Sequence, residues 1–394
     1  MSAQRQASSA SQIPHISPAE LSYLYTSLAL PGSPIRPDGR SPTQFRPLTA
    51  ETDILPGTNG SARVGFADGT QAIVGVKAEV ERTVLGVGVQ AEYEGGEHDG
   101  EREREGNEGE RAGHAEGQGS WVQMAIEIPG FRDDDALPVF LAEMMREPLV
   151  ESVSGSEDGT GADMVGGLKG RLVINRRWHW RLYIDVLLLS QPLSYPLPLL
   201  SLTTHLALLA TKLPKLKSKG EEDPFFDDDW NAAEYLYPRA QSKFAKPSIP
   251  SSISVHKVRP PVTLLVISVA ENIIFDPSRE EIAVADAVLA ISITHDSDSG
   301  RLKLLSIRTI DPPSRLTQPG VPNSENVATL GSTNAAEEPA IVNASTGEEE
   351  VPGVWKPRRG GVKRATIARM VKMVLERGGV GEEVLEGLEG VEVG

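Results

Sequence analysis

The stretch "RLYIDVLLLSQPLSYPLPLLSLTTHLALLATKLP", Arg181 to Pro214, is the part of the chain whose reading decides the fold. Between Leu182 and Thr211 it holds one ordinary charge, Asp185, and one histidine, His205. A transmembrane helix needs about 20 apolar residues, so length alone admits a membrane span. Pro192, Pro196 and Pro198 argue otherwise, with Gln191 and Ser194 beside them. Proline removes a backbone donor and kinks a helix. The stretch therefore reads as two elements of a domain core. A buried strand runs from about Arg181 to Leu189; a helix starts near Pro198, a favoured first-turn residue, and ends before Pro214. Leu199, Leu202, Leu206, Leu209 and Leu213 recur there at helical spacing.

Working outward, β-branched and apolar runs predict further strands in "FRPLTAETDIL", "GSARVGFADG", "TQAIVGVKAEVERT", "WVQMAIEIPG" and "RLVINRRWHWRLYIDVLLL". "PPVTLLVISVA" follows, and "EIAVADAVLAISIT" and "RLKLLSIRTI" read as a pair joined by the turn "HDSDSG". Helices are fewer: "SPAELSYLYTSLAL", "PVFLAEMMREPL", the leucine-rich segment above, and "VKRATIARMVKMVLERGG", which stops at Gly378-Gly379. The pattern is α+β, with two sheet-forming halves divided near the polar segment after Lys215.

The chain has 394 residues, 39% hydrophobic, with 38 glycines and 29 prolines, so a good fraction is expected outside regular elements. Its net charge of -16 argues against a general polyanion binder, although the charge is unevenly spread. Polar stretches at about 91–119, 151–168 and 312–357 have too little to bury and read as disordered insertions. The absence of cysteine excludes disulfides, thiolate zinc sites and cysteine nucleophiles. The leader has no apolar core of the kind a secretory signal carries.

No two histidines lie at metal-ligand spacing, and neither a Walker loop nor a Gly-x-Ser-x-Gly elbow occurs. His205 reads as a capped or partly exposed core histidine. "FDPSREE" groups Asp276, Glu280 and Glu281; it reads as a capped turn, with a Mg²⁺ site as the alternative. "RLVINRRWHWRLY" interleaves Arg171, Arg176, Arg177 and Arg181 with Trp178, Trp180 and Tyr183. Arginines neutralise phosphates and aromatic rings stack on unpaired bases, which suits single-stranded RNA. The equal alternative is a hairpin with its tryptophans in an interface. "KPRRGGVKRATIARMVK" is a second basic cluster, and reads as an ordinary amphipathic helix.

"RPDGRSPTQFRPLTAETDILPGTNGSARVGFADGTQAIVGVKAEVERT" resembles the opening of the RNase PH family. The motif Arg36, Asp38, Gly39, Arg40, the Gly60-Ser61-Ala62 step and the following apolar strand occur in that order. "GVKAEV", "LYIDVLLLS" and "FDPSREE" narrow the resemblance to ring subunits of the eukaryotic RNA exosome. It implies an RNase PH-like α+β fold: an N-terminal lobe like domain 2 of ribosomal protein S5 and an RNase PH C-terminal lobe. Expected boundaries are a leader and helix at 1–30, a first lobe at 31–214, a polar insertion at 215–256, a second lobe at 257–380 and an acidic tail at 381–394.

Active members of the family are phosphorolytic, and need an arginine-lined phosphate site and acidic residues for a metal. After the strand matching "LYIDVLLLS" they carry an Asp-Gly-Gly-like turn. Here the matching residues are Gln191, Pro192, Leu193, Ser194 and Tyr195, with no carboxylate, glycine or arginine. The resemblance thus implies a non-catalytic ring subunit with no catalytic residue, metal or cofactor of its own, supporting 3′–5′ RNA processing and degradation, including rRNA maturation. The implied partners are other RNase PH-like subunits, RNA-binding cap subunits and single-stranded RNA in the channel, with no membrane. The implied location is nucleus, nucleolus and cytoplasm. By composition, Lys77, Arg82, Arg176 and Arg177 are the candidate RNA-facing residues. The alternatives are an active phosphorolytic exoribonuclease and a free-standing RNA-binding scaffold.

Overall fold

The computed structural model describes residues 16–83, 117–150, 153–154, 164–165, 167–218, 220, 222–237, 259–296, 301–310, 341–342, 349–350 and 361–392. The leader and most of the three expected disordered insertions lie outside these residues.

Helix α1, Pro18–Leu28, opens with a capping box in which Ser17 and Glu20 satisfy each other's backbone N–H groups. Strands β1 (Leu48–Thr52), β2 (Gly60–Phe66) and β3 (Gln71–Arg82) form an antiparallel meander. Strand β4 (Val122–Glu127) leads to helix α2 (Ala136–Val150) and the short helix α3 (Leu168–Arg171). Strand β5, Trp178–Leu188, completes a five-stranded sheet in the order β1-β2-β3-β5-β4. β4 and β5 are parallel, which requires a crossover, and α2 lies within it. Helix α4, Leu197–Ala210, follows. Strands β6 (Val262–Val269) and β7 (Asn272–Phe275), helix α5 (Arg279–Ala283), and strands β8 (Ala287–Asp296) and β9 (Arg301–Ile310) form the second half. Its sheet is antiparallel in the order β7-β6-β8-β9. Helices α6 (Arg364–Leu375) and α7 (Val380–Glu389) close the chain.

Several local readings shift. β5 begins at Trp178, not Arg181, because β3 is long enough to pair Arg82 with Trp178. The residues before it form no continuous strand: Asn175 Oδ1 accepts the N–H groups of Arg177 and Trp178 and turns the chain. Glu281 belongs to α5, where it closes a capping box with Ser278, so the next strand starts only at Ala287. The acidic tail is a helix, α7, because Val380, Leu385 and Leu388 give it an apolar face that is buried. Part of the polar segment after Lys215 is also ordered. Lys212–Leu213 pairs with Glu234–Tyr235, and Leu236 and Tyr237 are buried.

α4 is the centre of the molecule. Every one of its residues is buried, and it packs against β2 and β3 of the first sheet and β6 of the second. The leucine periodicity describes one face; burial on all sides comes from the two sheets. Leu213 lies beyond the helix end. Among the described residues no helix is long and apolar enough to cross a membrane. The hydroxyls of Thr203 and Thr204 donate to carbonyls one turn back, so these polar side chains are satisfied inside the core. Ser201 Oγ accepts the N–H of Thr263 at 2.7 Å and ties the helix to β6. At its C-terminal end, a Cβ on Gly60 would lie 2.5 Å from Thr211 Cα, so only glycine lets β2 approach so closely.

His205 Nδ1 lies 2.8 Å from the Pro260 carbonyl and donates to it, while its Nε2 is buried without a partner. Burial pushes the imidazole down to about 4, the Pro260 contact only partly opposing it. The unfolded chain therefore takes up a proton below about pH 6.5 that the folded chain refuses. Stability should be lost as pH falls, by about 2 kcal/mol between pH 7 and pH 5 from this group alone. Urea denaturation should show a shallower acid loss for His205→Gln than for the parent; identical slopes would refute the assignment.

Candidate functional site

The two motifs that carry the family resemblance meet in space. After α1 the chain runs along β7: Phe275 donates its N–H to the Pro42 carbonyl, and Asn272 Nδ2 donates to the carbonyls of Leu28 and Leu30. This brings Arg36, Arg40 and Arg46 onto the loop from β7 to α5. Arg36 donates from Nε to Glu281 Oε1 at 2.7 Å and from Nη2 to Oε2 at 2.8 Å, a bidentate pair with both side chains fully buried. Its remaining N–H groups reach the carbonyls of Ser41, Phe275 and Asp276.

Asp276 is buried and has φ of 46°, a left-handed conformation that aspartate tolerates better than most residues. Its carboxylate accepts from Arg40 Nη1 at 2.8 Å, from the Arg46 N–H and Nε at 2.9 Å each, and from Arg46 Nη2 at 2.7 Å. Arg40 Nε also binds Asp38 at 2.6 Å. Arg46 Nη1 completes the set, donating to Asp68 at 2.7 Å and Ser194 Oγ at 2.9 Å, while its guanidinium lies 4.3 Å from the centre of the Phe66 ring. Burial opposes the Arg46 charge, but Asp276 and Asp68 hold its pKa above the ordinary arginine value. Burial likewise disfavours ionised Asp68, and is outweighed by the Thr70 N–H and Arg46, which leave its pKa below the usual carboxylate value.

The turn from β5 to α4 therefore borders an arginine cluster, but none of its arginines is available. Three guanidiniums (Arg36, Arg40, Arg46) face four carboxylates (Asp38, Asp68, Asp276, Glu281), a local balance of 3 − 4 = −1. Phosphate would have to displace a carboxylate, and a cation would have to displace arginines from Asp276. Among the described residues no group of histidine, aspartate and glutamate is placed to hold a metal ion. The turn adds only Ser194 to the cluster, with Leu193 exposed and Tyr195 half-buried, its phenol pushed up to about 12 by burial. Arg46 was not singled out in the sequence. Its one signal was an arginine between Phe45 and Pro47, too common to be specific.

The four candidate RNA-facing residues do not form one strip. Arg82 lies over the Trp178 ring at 5.2 Å, and Arg176 and Arg177 are exposed in the turn just before β5. Lys77 stands on the other face of β3, paired with Glu79 at 3.4 Å. Arg177 lies 4.0 Å from Asp223, which also accepts Trp178 Nε1 at 3.1 Å. Trp180 is buried, its ring 5.0 Å from that of Phe226. Trp180 thus packs in the chain's own core, and its ring is not exposed for stacking.

No family model matches the sequence. The chain is 30% identical over 282 residues to "Exosome complex component RRP42" of Saccharomyces cerevisiae, covering 70% of this chain and 81% of that protein. It is 29% identical over 277 residues to "Exosome complex component rrp42" of Schizosaccharomyces pombe, covering 70% and 77%. Among solved structures it is similar to an Archaeoglobus fulgidus exosome chain with RNA bound to the active site, at TM-score 0.43, 20% identity and coverage of 74% and 87%. Two sheets clasped around one buried helix and joined by an arginine–carboxylate cluster define an α+β protein. Within that class, the chain belongs to the family of exosome complex component RRP42.

Glu281→Gln should leave Arg36 buried without its counter-charge and cost about 3–5 kcal/mol. The paired replacement Arg36→Met with Glu281→Leu should recover only part of that loss, because the Ser41 and Phe275 carbonyls and the Ser278 N–H lose their partners. Urea denaturation checks both, and a loss below about 1 kcal/mol for Glu281→Gln would remove this pair from its structural role.

Proposed function

We propose that the chain is a non-catalytic subunit of the hexameric RNase PH-like ring of an RNA exosome, supporting 3′–5′ RNA processing and degradation, including rRNA maturation. Membership in the RRP42 family supports the complex. The observation that carries the non-catalytic part is the saturation of Arg36, Arg40 and Arg46 by carboxylates, beside a Gln191–Tyr195 turn without an acid or base. Phosphorolysis requires a cation free to bind phosphate, and this cluster offers none.

On this reading the partners are other RNase PH-like subunits and RNA-binding cap subunits, with single-stranded RNA passing through the channel. Residence in nucleus, nucleolus and cytoplasm belongs to the same proposal. RNA contact falls to Arg82, Arg176 and Arg177 near one end of β5, with Lys77 on the opposite face of the sheet.

Incubated with single-stranded RNA, phosphate and Mg²⁺, the purified chain should release no nucleoside diphosphate above a protein-free control. Release that depends on phosphate would replace this reading with an active exoribonuclease. Affinity-tagged chain should co-purify with RNase PH-like subunits; recovery as a lone monomer would favour the scaffold alternative.

A further inference from the structure

The stretch "LPGTNGSAR", Leu55 to Arg63, holds the one Asn-Gly pair of the chain, Asn59–Gly60. Neither the arginine cluster nor the ring proposal uses it. Asparagine is a chemically labile residue, and a glycine after it leaves the next backbone nitrogen uncrowded. Here the fold demands both residues. Asn59 ties the start of β2 to β3 and to the chain just past α4. Its N–H donates to the Val76 carbonyl at 2.8 Å, and its carbonyl accepts the Lys212 N–H at 2.8 Å. In the side chain, Nδ2 donates to the Lys212 carbonyl at 3.0 Å and Oδ1 accepts the Ala78 N–H at 2.9 Å. Every polar group of Asn59 is thus engaged. Gly60 is buried, and a Cβ there would lie 2.6 Å from the Thr211 nitrogen, so no other residue fits.

Deamidation of such a pair runs through a cyclic imide. The Gly60 nitrogen gives its proton to water and attacks Asn59 Cγ. A nitrogen–Cγ bond forms, the Cγ–Nδ2 bond breaks, and Nδ2 takes up a proton and leaves as ammonia. Water then opens the imide at either carbonyl, giving aspartate or isoaspartate with no change of oxidation state. To begin, the side-chain amide must swing back onto the Gly60 nitrogen, which breaks its hydrogen bonds to Lys212 and Ala78. We propose that Asn59–Gly60 is a guarded deamidation site, closed to reaction while β2, β3 and the segment after α4 are joined, and reactive when that joint opens. Reaction also prevents the joint from re-forming. A carboxylate at position 59 has no proton to offer the Lys212 carbonyl, and isoaspartate adds a methylene to the main chain beside a glycine that has no room for one. The site therefore keeps a one-way mark of each opening. The inference does not depend on the ring reading.

The test incubates the full chain at mildly alkaline pH and follows the tryptic peptide that carries Asn59 by mass spectrometry and isoaspartate analysis. The synthetic peptide "LPGTNGSAR" sets the unrestrained rate. The folded chain should react at least about a hundredfold more slowly, because a local opening that costs a few kcal/mol leaves few molecules reactive. In urea the full chain should react as fast as the peptide. Leu236 is buried, and its N–H donates to the Thr211 carbonyl at 2.9 Å, so it holds the segment after α4 in place. Leu236→Ala should speed the reaction of the folded chain about tenfold, with circular dichroism reporting that the variant is folded. Tyr235→Ala, which removes the ring 4.9 Å from Lys212 Nζ, is the milder variant and should speed it about threefold. Val139→Ala, at an exposed position of α2, should leave the rate unchanged. Equal rates in folded chain and peptide overturn the proposal. So does an unchanged rate in both Leu236→Ala and Tyr235→Ala, or a peptide that yields no product.

Discussion

The buried pair of Arg36 and Glu281 is the constraint from which most of the architecture follows. A guanidinium and a carboxylate fully removed from water are tolerable only when each meets the other in good geometry and the remaining donors are satisfied. Here every N–H of Arg36 has an acceptor, from Glu281 and from the carbonyls of Ser41, Phe275 and Asp276. These demands fix the loop from β7 to α5, hold the α5 capping box, and force the segment after α1 to lie along β7. That segment also shields an edge of the second sheet that would otherwise present open hydrogen-bonding groups. The cluster extends through Asp276 and Arg46 to Asp68 of the β2–β3 turn and Ser194 before α4, so both sheets and the central helix share one polar joint.

The apolar half of the same design is α4. A helix of 14 residues with every position buried cannot be stable alone in water; it exists because β2, β3 and β6 surround it. Its few polar groups are spent locally. Thr203 and Thr204 bond within the helix, Ser201 and His205 bond to the segment at the start of β6, and Gly60 gives the far end room. Polar joint and apolar helix lie side by side, connected by the Gln191–Tyr195 turn. The turn thus joins the two halves of the molecule through Ser194 and the arginine cluster.

What the sequence made legible was what depends on local period and local punctuation. The prolines at 192, 196 and 198 divided strand from helix, and β-branched and apolar runs exposed β2, β3, β6 and β8. The α+β class followed from the order of those elements. What stayed hidden depended on distant partners. The early start of β5 is set by the length of β3; the role of Arg46 is set by an aspartate 230 residues away; the burial of Trp180 is set by Phe226. α7 was obscured by composition, because its glutamates and glycines mask an apolar face whose spacing is plain once it is packed. The Gln191–Tyr195 sequence of the turn was visible, whereas the engagement of the neighbouring arginines by carboxylates required the geometry.

The separation of 245 residues between Arg36 and Glu281 also sets an order of events in time. At roughly 5–20 residues per second, synthesis of the intervening chain takes on the order of ten to fifty seconds. During that interval the strands of the first sheet and then α4 are made, while Asp276 and Glu281 are still unsynthesised and α4 still lacks β6. Until the second sheet is made, Arg36, Arg40 and Arg46 have only Asp38 and Asp68 among their four carboxylates, and one side of α4 stays uncovered. Completion of the second sheet then discharges the arginines and covers the helix in one step, so the fold closes last where its chain began.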